Sequence, residues 1–188
     1  LVFGKHVYPK SVYTQGIENV SLKDVDTANS LGYAVKLIAS VKESENDKIM
    51  PAVMPMLVPY SNLMSHVDDV FNACLVTGNG FDKILFYGRG AGKFPTASAV
   101  LGDVIDCVKH KITVFSQSWD SSSDDSFIDS IDNFKAKWYI RTDSDTDMSA
   151  YNIENKIECD GETSYIISEI TFAEAKKIKA KELFAVLD

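Results

Sequence analysis

The sequence predicts an α+β fold, in which a mixed, largely antiparallel sheet covered by helices is followed by a small second α+β unit. Residues 84–110 (ILFYGRGAGKFPTASAVLGDVIDCVKH) indicate a strand, a glycine-rich turn and a helix. Short apolar runs typical of strands lie on both sides of this stretch. A segment rich in Ser and Asp at residues 116–133 is typical of a linker. We therefore expect one region at residues 1–115 and another at residues 134–188, which we call the tail.

The composition excludes several classes of protein. With 188 residues, of which 45% are hydrophobic, the chain can bury a sizeable core. Its formal net charge of −8 argues against nucleic acid or an anionic membrane as partner, because both require a basic surface. No apolar run of membrane-spanning length and no signal peptide is recognisable, which predicts a soluble, cytoplasmic protein. Since the chain begins at Leu1 and not at methionine, we expect part of a longer protein.

The cysteine and histidine residues do not have the spacing of metal ligands. Three cysteines lie more than 30 positions apart, which predicts reduced and mostly buried thiols without a metal knuckle. The three histidines are equally scattered, so the sequence predicts no metal site. These residues are Cys74, Cys107, Cys159, His6, His66 and His110.

The first predicted helix begins at a capping box. Residues 6–20 are predicted to form a loop. Ser21 then stands in the position of a helix cap, with Asp24 three residues later in place of the usual Glu. We expect a helix that begins here and ends at Gly32.

Two strands are predicted after this helix. Residues 33–41 (YAVKLIASV) form the first, and a charged hairpin segment follows it. Residues 49–58 (IMPAVMPMLV) are apolar but include Pro51 and Pro55, which cannot donate main-chain hydrogen bonds. We therefore expect this second strand to lie at a sheet edge or to be interrupted.

A hairpin and a long helix complete the first region. Residues 69–77 and 83–87 are predicted strands that the tight turn Gly78-Asn79-Gly80 connects. The hairpin is expected to join the preceding strands in carrying the helix at Thr96. Six apolar residues at helical spacing form one face of that helix, which we call the apolar stripe and expect to pack against another surface. They are Ala97, Val100, Leu101, Val104, Ile105 and Val108.

The glycine turn between strand and helix (residues 88–92, GRGAG) has two interpretations. Three glycines in five residues permit positive φ and a close approach to the backbone, while the amides of the first helical turn are unpaired. Such a turn can hold an anion or the edge of a cofactor ring. The spacing is not that of the dinucleotide fingerprint, so a purely structural connector is the other possibility.

The tail has the pattern of a small α+β unit. Thr171 and Glu174 form a capping box at the start of its helix. The acidic run 143–147 lacks the Gly and Glu of a calcium loop and is expected to be a solvated turn. The predicted strands are residues 135–142, 151–159, 163–170 and 183–187, with the helix at residues 171–180.

Several segments together resemble homoserine dehydrogenase. They are LVFGKHVYPKSVYTQGI, DVDTANSLGYAVKLIASVK, MPMLVPYSNLMSHVDDVFNACLVTGN and FYGRGAGKFPTASAVLGDVID, which span roughly the first 105 residues. The tail resembles, more weakly, the ACT-type regulatory domain: KWYIRT is similar to its first strand and TSYIISEITFAEAKKIKA to its later strand and helix. DSDTDMSAYNIEN stands where the first ACT helix is usual, so we expect that helix to be shortened or lost.

The resemblance implies an enzyme that interconverts L-homoserine and L-aspartate 4-semialdehyde with NADP or NAD, in the route to threonine and methionine. It implies a cytoplasmic homodimer or homotetramer with a small-molecule substrate. The family's dinucleotide-binding fold and its catalytic signature segment precede the part that this chain matches, so no catalytic residue is assigned. The implied cofactor-binding residues, near the nicotinamide end, are Gly88, Arg89, Gly90, Ala91 and Gly92.

The preferred interpretation is a part of a dehydrogenase that is inactive alone. Two other functions are alternatives to it. In one, the tail is an amino-acid sensor and the first region its scaffold. In the other, the chain serves only for oligomerisation. The glycine turn favours the dehydrogenase, and the missing ACT helix argues against the sensor.

Overall fold

The computed structural model describes residues 2–44, 47–110 and 124–187, and within them it has an α+β fold with nine strands and three α-helices. The strands are β1 (Tyr13–Thr14), β2 (Tyr33–Glu43), β3 (Ile49–Pro59), β4 (Phe71–Gly78), β5 (Asp82–Arg89), β6 (Lys135–Asp143), β7 (Ile153–Cys159), β8 (Glu162–Thr171) and β9 (Glu182–Val186). The helices are α1 (Leu22–Ser30), α2 (Lys93–Lys109) and α3 (Phe172–Ala175).

Contacts divide the chain into two compact units. Residues 1–65 with 121–188 form the larger unit, and residues 66–120, which we call the hairpin unit, form the smaller. The hairpin unit holds the predicted hairpin β4–β5, which is a separate two-stranded sheet, and helix α2. The expectation that the hairpin joins the preceding strands was therefore wrong, because it pairs with neither β2 nor β3.

The larger unit is built on one seven-stranded sheet. Its order is β1-β3-β9-β6-β8-β7, with β2 on the other side of β3. The four tail strands β9-β6-β8-β7 are all antiparallel and have the order of a split βαβ fold, but residues 144–152 form turns in place of its first helix. Strand β9 continues this sheet by pairing in parallel with β3, where Met56 is opposite Ala185. The predicted division into domains stays a prediction, and the predicted linker lies partly outside the described residues.

Strand β3 is central, and its predicted place at an edge was wrong. It pairs with β2 along its whole length on one side and with β1 and β9 on the other. The main-chain oxygens of Val53 and Leu57 accept hydrogen bonds from the β1 and β9 side, at 2.8 Å each. Odd-numbered residues of β3 therefore face β1 and β9, and its prolines at 51, 55 and 59 all share this parity. Because no proline nitrogen points at β2, the long ladder is complete.

Both faces of the sheet are buried. On one face Met54, Met56 and Trp138 belong to a core that α3 covers, and the indole ring of Trp138 stacks on Phe172 with centroids 5.2 Å apart. On the other face Leu57, Tyr139 and Phe184 pack with Ala28 of helix α1. The tail strands thus share both cores with the first region. Helix α3 ends at Ala175, earlier than predicted, because the main chain tightens into i→i+3 hydrogen bonds from Lys177 onward.

The predicted capping box of α1 is confirmed, and its acid also joins a buried ion pair. Asp24 is 0% exposed and accepts hydrogen bonds from the Ser21 main chain and side chain at 3.1 and 2.6 Å. Arg141 on β6 donates to both Asp24 oxygens, at 2.7 and 3.2 Å. The Tyr139 hydroxyl donates to the same carboxylate at 3.1 Å and shares a hydrogen bond with Ser164. The helix cap is thereby fixed to the tail sheet.

A second carboxylate extends this ion-pair network to the surface. Glu162 at the start of β8 contacts three cations, Lys23 at 2.9 Å, Arg141 at 3.1 Å and Lys181 at 2.6 Å. Hydrogen bonds from Lys181, Lys23 and Arg141 lower its pKa to about 2. Burial alone would raise the pKa of Asp24, but the hydrogen bonds from Arg141 and Ser21 outweigh burial and hold it below its ordinary value. Both acids are therefore charged at neutral pH.

The cysteines are exposed, so the predicted buried thiols were wrong. Cys74 lies on the hairpin, Cys107 on α2 and Cys159 at the end of β7, where the surrounding side chains are exposed as well. Within the described ranges, no group of three or more His, Cys, Asp or Glu residues is placed to hold a metal ion. None of the helices in those ranges has the length and apolar character needed to cross a membrane.

Replacing Asp24 should destabilise the larger unit strongly. Asp24→Ala removes the buried acceptor that Arg141 and Tyr139 share and leaves Arg141 with Glu162 and Tyr139 with Ser164, and we expect a loss of about 3 kcal/mol in the free energy of unfolding. Urea denaturation measures it. Asp26→Ala, on the exposed side of the same helix, is the control and should stay within about 0.5 kcal/mol. Equal losses in the two variants would contradict the central role of Asp24.

The contribution of Glu162 should depend on pH. Its pKa is lower in the folded chain, about 2 against an ordinary 4.5, so the folded state binds fewer protons. Its stabilisation is therefore present above pH 4.5 and is lost as the pH falls through the folded pKa. The melting temperature of Glu162→Gln should lie below that of the natural chain at pH 6, and the difference should shrink towards pH 2.5. A difference independent of pH would rule out this ionisation.

Candidate functional site

The five residues of the glycine turn lie together at the junction of β5 and α2. Strand β5 ends at Arg89, and helix α2 begins at Lys93, three residues earlier than Thr96. A hydrogen bond from the Gly90 amide to the Val70 carbonyl, 3.3 Å long, extends the hairpin pairing into the turn. All five residues are exposed.

Gly92 has a backbone conformation that requires glycine. Its φ of 120° and ψ of 153° lie in a region that is essentially closed to residues with a side chain. This conformation turns the chain into α2, and the Gly92 carbonyl accepts the first helical hydrogen bond from Thr96 at 3.1 Å. The amides of Lys93 and Phe94 have no intrahelical partner, and Pro95 has no amide hydrogen. Two backbone donors therefore point out of the helix at the glycine turn.

On one face of the hairpin, Gly88 and Gly90 form a strip of backbone without side chains, which we call the bare strip. Asn72 borders this strip. Asn72 is opposite Gly88 in the register of β4 and β5. Its amide nitrogen lies 1.6 Å from the point that a Cβ atom on Gly90 would occupy, so any side chain at residue 90 must displace Asn72. A Cβ atom on Gly88 would meet nothing within 4 Å. The backbone of Gly88 is thus open to a flat group from outside.

The opposite face of the hairpin carries a cationic and aromatic cluster. Phe71 and Tyr87 stack with ring centroids 4.9 Å apart and planes 7° from parallel. The Arg89 guanidinium lies over the Phe71 ring at 5.0 Å, a cation–π contact that holds the charge beside the turn. Because neighbouring residues of a strand alternate between faces, this cluster and the bare strip at Gly88 are on opposite sides.

The bare backbone at Gly88 can take a flat group, and the two amides without an intrahelical partner at the start of α2 can take an anion. Gly88 supplies backbone without a side chain, and Asn72 supplies an exposed carboxamide beside it. Sequence reasoning identified the glycines but missed Asn72. The sequence feature that could have predicted the position of Asn72 is the Gly-Asn-Gly turn, because it fixes the hairpin register and so places residue 72 opposite residue 88.

The apolar stripe of α2 is exposed in the chain. Side chains that the sequence predicts to pack against another surface are between 41% and 60% exposed from Val100 to Val108. Aromatic side chains of the hairpin unit are exposed as well, with Phe86 at 63% and Phe94 at 76%. So much exposed apolar surface on a small unit is typical of an interface.

A second feature is a polar cleft in the larger unit. It is lined by Lys42, Lys48 and Lys135, with Asp129 among them. The Asp129 carboxylate accepts hydrogen bonds from Ser44 at 2.7 Å and from Asn133 at 3.0 Å, and these hydrogen bonds, the one from Ser44 foremost, lower its pKa. The aspartate is thus already held by neighbouring side chains.

The fold is that of solved dehydrogenases. A crystal structure of homoserine dehydrogenase from Thiobacillus denitrificans superposes with a TM-score of 0.76 at 24% identity over 98% of this chain and 49% of that one. Homoserine dehydrogenase from S. aureus at pH 7.5 gives a TM-score of 0.75 at 21% identity over 98% of this chain and 49% of its own. The chain therefore has the α+β architecture of half of such an enzyme.

Sequence comparison identifies the family. The sequence model of the family described as homoserine dehydrogenase matches residues 1–105. The homoserine dehydrogenase of Corynebacterium glutamicum is 37% identical over 116 residues, which are 60% of this chain and 26% of the relative. That of Synechocystis is 39% identical over 111 residues, 57% of this chain and 26% of the relative. The chain belongs to the homoserine dehydrogenase family, and the match spans about a quarter of its curated relatives.

Replacement of glycine by alanine should reduce stability by different amounts at Gly92 and Gly88. Gly92→Ala forces a side chain into a conformation that only glycine adopts easily, and we expect a loss of roughly 1 to 3 kcal/mol in stability. Gly88→Ala should be nearly neutral, because its Cβ atom meets open space. Amide hydrogen exchange in the first turns of α2 compares the two variants in the whole chain. Equal protection in both would show that Gly92 is not needed to start the helix.

Proposed function

We propose that the chain forms part of an NAD(P)-dependent homoserine dehydrogenase, which interconverts L-homoserine and L-aspartate 4-semialdehyde in the biosynthesis of threonine and methionine. The observation that carries the proposal is the open backbone of Gly88 within a turn that matches the family. When bound, the nicotinamide cofactor supplies the hydride acceptor or donor. No residue of this chain is assigned to proton transfer.

The proposed role of Gly88–Gly92 is to form one wall of the nicotinamide pocket. Gly88 lets the ring edge lie against the main chain, because no side chain projects into that space, while Gly90 leaves room for the Asn72 carboxamide beside it. Arg89 sits on the other face of the hairpin, where its charge adds a positive potential near the turn without occupying the ring position. The wall orients the ring and excludes water from one side of it.

The proposed partner of the apolar stripe is the dinucleotide-binding region of the enzyme. The chain spans about half the length of its solved relatives, which leaves a second half to cover exposed surface. A homodimer or homotetramer is also proposed, in the cytoplasm. In the described residues β2 pairs on one side only, so its outer edge is available to a second subunit, and Leu37 and Val41 on one face of it are 52% and 47% exposed.

The alternative of an amino-acid-sensing or oligomerisation module rests on the tail. Its strand order is that of a split βαβ fold, which agrees with an ACT-like domain. Turns replace the first helix, however, and both cores of the tail are shared with the first region. This alternative stays a prediction, and the dehydrogenase is preferred.

The test is a comparison of Gly88→Val with Gly80→Val in the complete dehydrogenase. If Gly88 lines the cofactor pocket, valine there displaces the ring, and a shift of about 1 Å lowers turnover on the order of 100-fold. The melting temperature should change little, because a Cβ atom meets nothing within 4 Å at either glycine. Gly80→Val, at the far end of the hairpin, is the control and should leave kcat and cofactor KM unchanged.

The isolated chain belongs in the same experiment. With homoserine and either cofactor it should show no turnover, since the groups that position substrate and accept the proton are proposed to lie outside it. Turnover by the isolated chain would contradict its assignment as part of the enzyme. Unchanged kinetics of Gly88→Val would contradict the cofactor wall and leave the glycine turn as a connector.

A further inference from the structure

Asn72 is the polar side chain that borders the bare strip of the glycine turn. It lies on β4, opposite Gly88 and diagonal to Gly90, and all three residues are on the same face of the hairpin. Since both glycines lack side chains, the carboxamide of Asn72 leans across the strand onto the Gly90 backbone. Among the residues that the structure describes, none forms a hydrogen bond with the Asn72 side chain.

The position of Asn72 is not explained by packing. Its side chain is exposed, so it does not fill a core. The neighbouring pair on the same face, Cys74 and Phe86, is exposed as well, and Phe86 is 63% exposed. Asn72 thus presents an exposed carboxamide, which carries both donors and an acceptor, beside the open backbone of Gly88.

We propose that Asn72 is a positioning residue that pairs its carboxamide with the carboxamide of the nicotinamide ring. The inference rests on the proposed function, because it needs the ring at the glycine turn. Two amides side by side form two hydrogen bonds, each group donating one and accepting one. Only a ring with its carboxamide turned towards β4 satisfies Asn72, so the side chain selects one of the two orientations that differ by a half-turn about the bond to the ribose.

The test uses Asn72→Ala in the complete dehydrogenase with two cofactors. One is the natural nicotinamide cofactor, and the other is its 3-acetylpyridine analogue, whose methyl ketone cannot donate a hydrogen bond. We expect Asn72→Ala to raise the Kd of the natural cofactor, measured by calorimetric titration without substrate, about tenfold and that of the analogue two- to threefold, because the analogue has already lost one of the two hydrogen bonds. Asn72→Gln keeps the carboxamide and should recover part of the loss.

The control separates this proposal from the one on which it rests. Equal factors for the two cofactors, with Gly88→Val still impaired, would overturn the role of Asn72 and leave the cofactor wall standing. Unchanged kinetics of Gly88→Val would overturn both. A lowered melting temperature in Asn72→Ala with equal factors would assign Asn72 to the support of the turn alone.

Discussion

The larger unit depends on one buried carboxylate. A charge that is fully removed from water costs several kcal/mol unless charged and hydrogen-bonding partners surround it, and Asp24 is 0% exposed. Its partners come from distant parts of the sequence: Ser21 from the helix cap, and Arg141 and Tyr139 from the tail. Burial therefore requires that the cap, the helix and the tail sheet assemble together. Strand β9 then extends that assembly by joining the tail to β3.

Local signals in the sequence predicted local structure well. Both capping boxes, the hairpin and most of the strands could be recognised from a few neighbouring residues, and the structure confirms them. The ion pair could not, because Asp24 and Arg141 are 117 positions apart and nothing near either of them marks the other. The cysteines were placed in a core because burial is usual for that residue type. On the hairpin, α2 and β7 the exposed surface of the elements decides instead.

The glycine turn was found from composition, but its two sides were not. Alternation along β5 gives one face to Arg89 and the aromatic stack, and it leaves the other bare beside Asn72. Glycine content alone cannot reveal this asymmetry, because it depends on which residues of β4 lie opposite. The hairpin register supplies it. Small residues can thus indicate a turn, while the side chain that borders it comes from a residue across the strand.

The proline spacing of β3 has a further consequence for folding. A shift of one residue in the alignment of β3 with β2 would turn every side chain of β3 to the opposite face of the sheet. Since β3 is apolar and buried on both faces, this exchange alone would cost little stability. Such a shift would also turn the ring nitrogens of Pro51, Pro55 and Pro59 towards β2. Three ladder hydrogen bonds would be lost, each worth about 1 kcal/mol. The prolines, spaced four residues apart, therefore disfavour misaligned pairing with β2. The side chains of β3 cannot do so, because they are apolar on both faces.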